Sequence, residues 1–217
     1  VINFNNGNVT ITHAAGKLTV GGGDVALADD KKLIFGDGSD ASLEYDENGT
    51  DQLRIVGNTV FEGQVEHAKD ILIDSSLASD GDYSGITASF TAGEALEIGE
   101  CVYLKAADSR VWKAVSVVSG TGLISADIMC IGVVVADQGS AGSAVTVLLQ
   151  GFLRADGNFP TYTVGETLYV PEAETSGKNV PEGAVPDTDG DFVQVIGWAS
   201  DDNTVFFNPA FTYIEHA

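Results

Sequence analysis

The sequence predicts an all-β protein, and three observations predict it. Apolar residues alternate in short runs, glycine and asparagine punctuate those runs, and blocks of strand-like sequence recur later in the chain. Among 217 residues there are 26 Gly and a single Met, a composition suited to turns and strands rather than long helices. An apolar content of 44% with 8% aromatic residues can fill the core of one large domain or two modest ones. The expected architecture is an N-terminal short-strand oligomeric shaft or anchor, followed by an internally duplicated antiparallel β-sandwich or barrel domain. Its divisions are 1–66 for the shaft, 67–83 for a linker and 84–217 for the duplicated domain, a distal knob.

Residues 1–66 alternate at Val9/Ile11, Leu18/Val20, Val25/Leu27, Leu33/Phe35, Leu43/Tyr45 and Leu53/Ile55. Asn6-Gly7, Gly21-Gly22-Gly23, Asp37-Gly38 and Asn48-Gly49 separate them, and these residue types tolerate the positive φ of tight turns. Each strand brings only two or three apolar side chains. A segment this thin does not offset its own ordering entropy as a monomer. Several chains sharing one core would, and three-fold symmetry is the usual solution, so a homotrimer is expected. From Glu66 to Ile73 the pattern fits a short helix or one more strand.

The later chain is organised by repetition. Gly99-Glu-Cys-Val-Tyr-Leu104 recurs as Gly165-Glu-Thr-Leu-Tyr-Val170, each copy preceded by an aliphatic residue, Ile98 or Val164. Asp127-Ile-Met-Cys-Ile-Gly132 matches Asp191-Phe-Val-Gln-Val-Ile-Gly197, and Ala144-Val-Thr-Val-Leu-Leu149 matches Asn203-Thr-Val-Phe-Phe207. Ile86-Thr-Ala-Ser-Phe90 reads as a lead-in strand, and Ala106–Ser109 as a turn into a strand from Val111 to Val118. Pro171, Pro181 and Pro186 mark a long exposed loop. Gly132 and Gly197 stand inside apolar strands, where glycine weakens the ladder unless something requires it. Either each strand bulges there, or a neighbouring backbone or aromatic ring fills the vacant Cβ position.

Charge and missing signals narrow the function. The formal net charge is −22, and it is spread along the chain: 4 basic and 11 acidic groups in residues 1–66, 6 and 21 in residues 67–217. Such a surface repels phosphate backbones, so no nucleic-acid partner is expected. No window approaches 18 uninterrupted apolar residues and no basic segment precedes an apolar core, so neither a membrane span nor a signal peptide is expected. Val1 in place of Met fits a processed product or a fragment. Cys101 and Cys130 both lie in apolar strand contexts and read as buried small hydrophobes, with a disulfide left open.

Two segments carry a family resemblance. Lys31-Lys-Leu-Ile-Phe-Gly-Asp-Gly-Ser-Asp-Ala-Ser-Leu-Glu-Tyr-Asp46, followed by Asp51-Gln-Leu-Arg-Ile, resembles a stretch common in fibre-type virion proteins of tailed bacteriophages. The ending Val193-Gln-Val-Ile-Gly-Trp-Ala with Val205-Phe-Phe-Asn-Pro209 is similar to the C-terminal β-domains of phage head-decoration, head-fibre and tail-fibre proteins. The resemblance implies a trimeric protein on the virion surface, in contact with other virion proteins. The short chain favours the head over the tail.

No enzyme motif emerges: no Walker loop, Gly-x-Ser-x-Gly elbow or His-Glu-x-x-His is present, and His13, His67 and His216 lie far apart. Phage fibres include depolymerases, for which Glu94, Glu97, Asp137 and Asp156 would supply paired carboxylates. With 32 acidic residues that choice is arbitrary, so a non-enzymatic protein is expected, with no catalytic, metal or cofactor residues. Asp187-Thr-Asp-Gly-Asp191 alternates oxygen ligands, but Phe192 replaces the Gly of a Ca²⁺ loop and Trp198 its twelfth-position Glu. It therefore reads as a solvated turn, as does the cluster Asp37–Asp40 with Asp46–Asp51. The alternative function is recognition of host surface glycan. Trp112 and Trp198 read as core residues. Phe159 and Tyr162, in a Gly/Pro-flanked loop, are the candidate glycan-contact pair.

Overall fold

Strand β10 (Ala144–Arg154) is the longest element, and both of its edges are paired. In a computed structural model of the chain, residues 10–14, 17–21, 32–35, 41–46, 52–56, 71–117, 129–173 and 177–216 are described. They contain strands and turns and no helix, so none is long and apolar enough to cross a membrane. The chain divides into two units, Val1–Lys69 and Asp70–Ala217.

The N-terminal unit holds a hairpin, β1 (Thr10–Ala14) with β2 (Lys17–Gly21), and a three-stranded antiparallel sheet. That sheet is β3 (Lys32–Phe35), β4 (Ala41–Asp46) and β5 (Gln52–Val56), in register Leu33↔Leu43↔Ile55. The expected strand at Val25/Leu27, most of the Glu66–Ile73 segment and the cluster Asp37–Asp40 lie outside the described residues.

The C-terminal unit is a curled antiparallel sheet built on β10. One edge of β10 takes β6 (Tyr83–Thr91) along nearly its whole length. The other edge is divided. Val147 and Leu148 pair with β9 (Cys130–Val134), which leads to β7 (Cys101–Lys105) and β8 (Arg110–Lys113). Gly151–Arg154 pair with β14 (Thr204–Phe207), which leads to β13 (Val195–Ala199) and β11 (Thr167–Tyr169). A parallel bridge from Ala92 to Val111 brings the β8 side back to the end of β6. β12 (Phe192–Val193) and β15 (Ile214–Glu215) form a small separate ribbon. Residues 71–82, within the expected linker, are joined to the sheet by Arg154, which donates to the Leu77 carbonyl at 3.1 Å, and by Gly81 N–H to the Arg154 carbonyl.

β10 changes partners where it is least regular. Its register against β6 shifts between Leu148 and Gln150, leaving Leu149 as the extra residue of a bulge. Gly151 (φ 142°) and Gly85 (φ 151°) then face each other. A Cβ on Gly151 would lie 2.7 Å from the Gly85 Cα, and one on Gly85 2.7 Å from the Gly151 Cα. Only a glycine pair permits this approach and this backbone together.

The two flanks share their register. Val102 pairs Gly132 and Tyr103 pairs Cys130, so Ile131 is the extra residue; Leu168 pairs Gly197 and Tyr169 pairs Val195, so Ile196 is. Both explanations offered for Gly132 and Gly197 therefore apply: each lies next to a bulge, and each is closely approached by its neighbour. At Gly197 an added Cβ would meet Phe206 backbone and lie 3.2 Å from the Phe207 Cα; at Gly132 it would meet the Val147 side chain and lie 3.0 Å from the Leu148 carbonyl. No aromatic ring fills either position.

The Gly-Glu turns also correspond. Gly99 (φ 86°) and Gly165 (φ 85°) adopt the left-handed backbone that glycine favours. Glu100 accepts from its own Glu97 N–H at 2.8 Å, as Glu166 does from Thr163 N–H at 3.0 Å. Their environments differ. Glu166 is half-buried, whereas Glu100 is 0% exposed and receives the Lys113 ammonium at 2.8 Å.

The main core lies between the flanks: Cys101, Cys130, Val133 and Leu148 from one, Leu168, Ile196, Val205 and Phe207 from the other. A smaller cluster (Leu96, Val102, Val111, Val134, Val147) fills the curl near β6. Both cysteines are free and buried; burial pushes the Cys101 thiol up from its ordinary pKa. Strand β8 stops at Lys113 instead of running to Val118. Ser116 leaves the sheet to donate to the Pro171 carbonyl and accept from Phe192 N–H. The proline loop is not simply exposed either: Pro171, Val180, Pro181 and Pro186 are buried, closing one end of the core.

Alanine substitutions should rank by these environments. Gly165→Ala, with open space at its Cβ, should cost about 1 kcal/mol of backbone strain. Gly99→Ala, whose Cβ would lie 2.7 Å from the Phe159 ring, should cost about 2–3 kcal/mol. Gly151→Ala should cost at least as much, because backbone cannot move aside as a ring can. Denaturant unfolding at fixed protein concentration measures all three; equal losses contradict this account.

Glu100→Ala should destabilise by about 2–3 kcal/mol, because it removes the charge-assisted bonds that a fully buried carboxylate makes to the Lys113 ammonium and the Glu97 N–H. Glu166→Ala should lose only about 1 kcal/mol, the net worth of one hydrogen bond. Similar losses for the two would show that burial of Glu100 carries no weight.

Candidate functional site

Phe152 on β10, Phe206 on β14 and Trp198 on β13 pair in register, Phe152↔Phe206↔Trp198, so their rings stand side by side on one face of the sheet. Alternation forces this: Leu153, Val205, Phe207 and Ala199 point into the core, and their neighbours in sequence point out. Trp198 and Phe206 lie 5.5 Å apart at 35°, Phe152 and Phe206 4.8 Å apart, and Phe152 meets Trp198 edge-on at 6.1 Å and 89°. These are favoured aromatic geometries. Trp198 is nonetheless 43% exposed, which corrects its expected place in the core.

The Phe152 and Trp198 rings form one side of an open cleft of about 420 Å³. Ser75, Ser76 and Leu77 line it from the segment before β6, and Ser200, Asp201 and Thr204 from the β13–β14 turn. That turn is held by Ser200 and Asp201 N–H groups donating to the Thr204 carbonyl at 2.8 and 3.2 Å. The Ser75–Leu77 segment is held by Asp74, which accepts from Ser76 N–H at 2.8 Å, and by Arg154 on the Leu77 carbonyl. Arg154 also binds Asp156 at 2.7 Å, and Asp156 accepts from Asn203. The hydrogen bond to Asp156, and then its charge, raise the Arg154 pKa further. The walls are therefore braced, and the charge nearest the cleft is negative.

Phe159 and Tyr162, the expected glycan-contact pair, are interior residues. They are 7% and 6% exposed, with ring centroids 5.7 Å apart, and the Tyr162 hydroxyl donates to the Pro181 carbonyl at 2.5 Å. The proline loop covers them, and burial raises the Tyr162 pKa. They offer no stacking surface. Trp112 is half-buried, with the Lys105 ammonium 4.3 Å from its ring and its Nε1 donating to Asp108 at 3.1 Å.

The carboxylates nominated for hydrolysis are each engaged by a neighbouring donor. Glu94 accepts from Lys113 N–H at 2.9 Å, Asp137 from Ile98 N–H at 2.9 Å, and Glu97 binds Lys178 at 2.9 Å. His67 lies outside the described residues.

The Asp187–Asp191 turn is not wholly solvated, which corrects that expectation. Glu172 accepts from Asp187 N–H at 2.7 Å and Thr188 N–H at 3.3 Å, and these bonds hold its carboxyl below the usual range. Asp191 is 2% exposed beside Glu172, and burial raises its pKa. His216 is also drawn in, donating its backbone N–H to the Asp191 carbonyl at 2.7 Å. Among the described residues no group of three His, Cys, Asp or Glu is arranged to hold a metal ion.

The aromatic row was visible in sequence only as Trp198 and Phe206 on separate strands. Their registration, and the contribution of Ser75–Leu77 from over 100 residues away, arise from long-range pairing. The chain matches no protein-family model, no curated protein and no solved structure.

Asp191→Asn should test the buried carboxyl. The folded pKa of Asp191 is raised, so its stabilising proton is held at low pH and its ionisation costs stability as pH rises through the folded value. The asparagine should therefore raise the unfolding midpoint at pH 7, with the gain shrinking towards pH 4. A gain independent of pH would mean the charge is not the cause.

Proposed function

We propose that the protein is a non-enzymatic structural component of a tailed-phage virion surface, a homotrimeric fibre or head-decoration subunit assembled through its N-terminal strands. The observation that carries this reading is the β3–β5 sheet. Leu33 and Ile34 point to opposite faces of β3, yet they are 47% and 51% exposed, and Ile55, in register with Leu33 through Leu43, is 50% exposed. Among its described residues, apolar side chains open on both faces leave this three-stranded sheet short of stabilising burial. Its apolar area is stabilising only once another surface covers it, and further copies of the same strands supply one. Ile71, Leu72 and Ile86, also exposed, form a second uncovered patch in the C-terminal unit. The resemblance of Lys31–Asp46 to phage fibre sequences falls on this same N-terminal sheet.

The two flanks of the C-terminal sheet are, on this reading, copies of one module joined through β10. Their shared bulge register and glycine–glutamate turns support a duplication, and β10 serves as the closing strand of the first copy while pairing with that of the second. A compact unit of this kind is suited to projecting from a particle surface, with the acidic exterior limiting non-specific adhesion.

Light scattering on the full chain should give about three times the 22.6 kDa chain mass, and the double variant Leu33→Asp, Ile55→Asp should shift it towards one. A stable wild-type monomer would sink the assembly reading. Labelling of the subunit on intact particles, seen by electron microscopy, tests the virion location separately.

A further inference from the structure

We propose that the cleft beside Trp198 binds a neutral pyranose sugar, with the indole as its stacking platform. This does not depend on the trimer: every residue involved belongs to the C-terminal unit.

The first argument is the platform. A pyranose presents a face of C–H groups, which an aromatic ring can cover, and a rim of hydroxyls, which need donors and acceptors beside that ring. Trp198 is 43% exposed and held by Phe152 and Phe206 at 6.1 and 5.5 Å. A ring already fixed by its neighbours loses little rotamer freedom on binding.

The second argument is the surround. Ser75 and Ser76 on one side, and Ser200 and Asp201 on the other, place hydroxyls and a carboxylate around the rings. Ser75, Ser76 and Asp201 are exposed. The volume of about 420 Å³ falls within the range of small-ligand sites. An apolar peptide would leave this polar rim without matched partners, whereas sugar hydroxyls satisfy it.

The third argument is charge. Asp201, Asp202 and Asp156 are exposed near the cleft, and the one cation beside it, Arg154, is engaged by Asp156 and the Leu77 carbonyl among the described residues. An acidic sugar would find repulsion and no free guanidinium. The occupant therefore carries no negative charge.

The full chain carrying Trp112→Phe, so that Trp198 is the only indole, should be titrated with maltotriose and lactose, and with sialyllactose as the charged control. Indole fluorescence and saturation-transfer NMR provide the readouts. At least one neutral sugar should perturb the fluorescence and receive saturation on its ring protons, with sialyllactose at least tenfold weaker than lactose. Trp198→Ala should abolish the transfer, and Asp201→Asn, an exposed change that spares the fold, should weaken binding at least threefold. No binding of either neutral sugar, binding unchanged in Trp198→Ala, or sialyllactose bound as well as lactose would each overturn the proposal. So would a fluorescence change that follows protein concentration alone, which would place a second copy over the ring.

Discussion

A single strand must satisfy three neighbours, and the C-terminal unit is shaped by how β10 does so. Its backbone groups on one edge go almost entirely to β6, while those on the other are divided between β9 and β14. A flat strand could not serve two diverging flanks. The bulge at Leu149 and the facing pair Gly85 and Gly151 provide the local break, and their missing side chains let two backbones approach to a distance no Cβ allows. The main core between the flanks depends on this crossing, because without it the two inward faces would not converge.

Polar side chains complete what the ladders leave open. Gln194 is fully buried, yet its amide accepts from Cys130 N–H at 2.8 Å and donates to the Cys130 and Ala210 carbonyls at 3.0 and 2.8 Å. It acts as a short piece of strand between the flanks, where unpaired backbone would otherwise be costly. Asn179 does related work from the proline loop: its backbone carbonyl accepts from Cys101 N–H at 2.7 Å and its side chain donates to the Ala114 carbonyl. These contacts explain why the loop is drawn inward, and why Phe159 and Tyr162 beneath it are buried.

The outward face is a consequence of the same crossing. Once Val205 and Phe207 are committed to the core, Phe206 must face out, and registration with β10 and β13 sets Phe152 and Trp198 beside it. A cleft then forms because Arg154, donating to the Leu77 carbonyl, and Ser84, accepting from Asp74 N–H, hold the Ser75–Leu77 segment against the sheet. The aromatic platform and its polar rim thus come from four separate stretches of chain.

Local chemistry was legible in the amino-acid sequence. Alternation marked the strands at Ile11, Leu18, Leu33, Leu43, Leu53 and Ile86, because a two-residue period is a property of each strand alone. The Gly-Glu turns were equally plain, since left-handed backbone at Gly99 and Gly165 needs glycine wherever the turn sits. Partner choice was not legible. Nothing in Leu149-Gln-Gly-Phe152 announces that β10 would exchange β9 for β14 there, nor does Phe159-Pro-Thr-Tyr162 show which loop will cover it. Proline and glycine report a turn, whereas burial depends on the surface that arrives from elsewhere. Trp198 shows the same division in one residue: its strand was evident from its neighbours, but its exposure was decided by which face the core claimed.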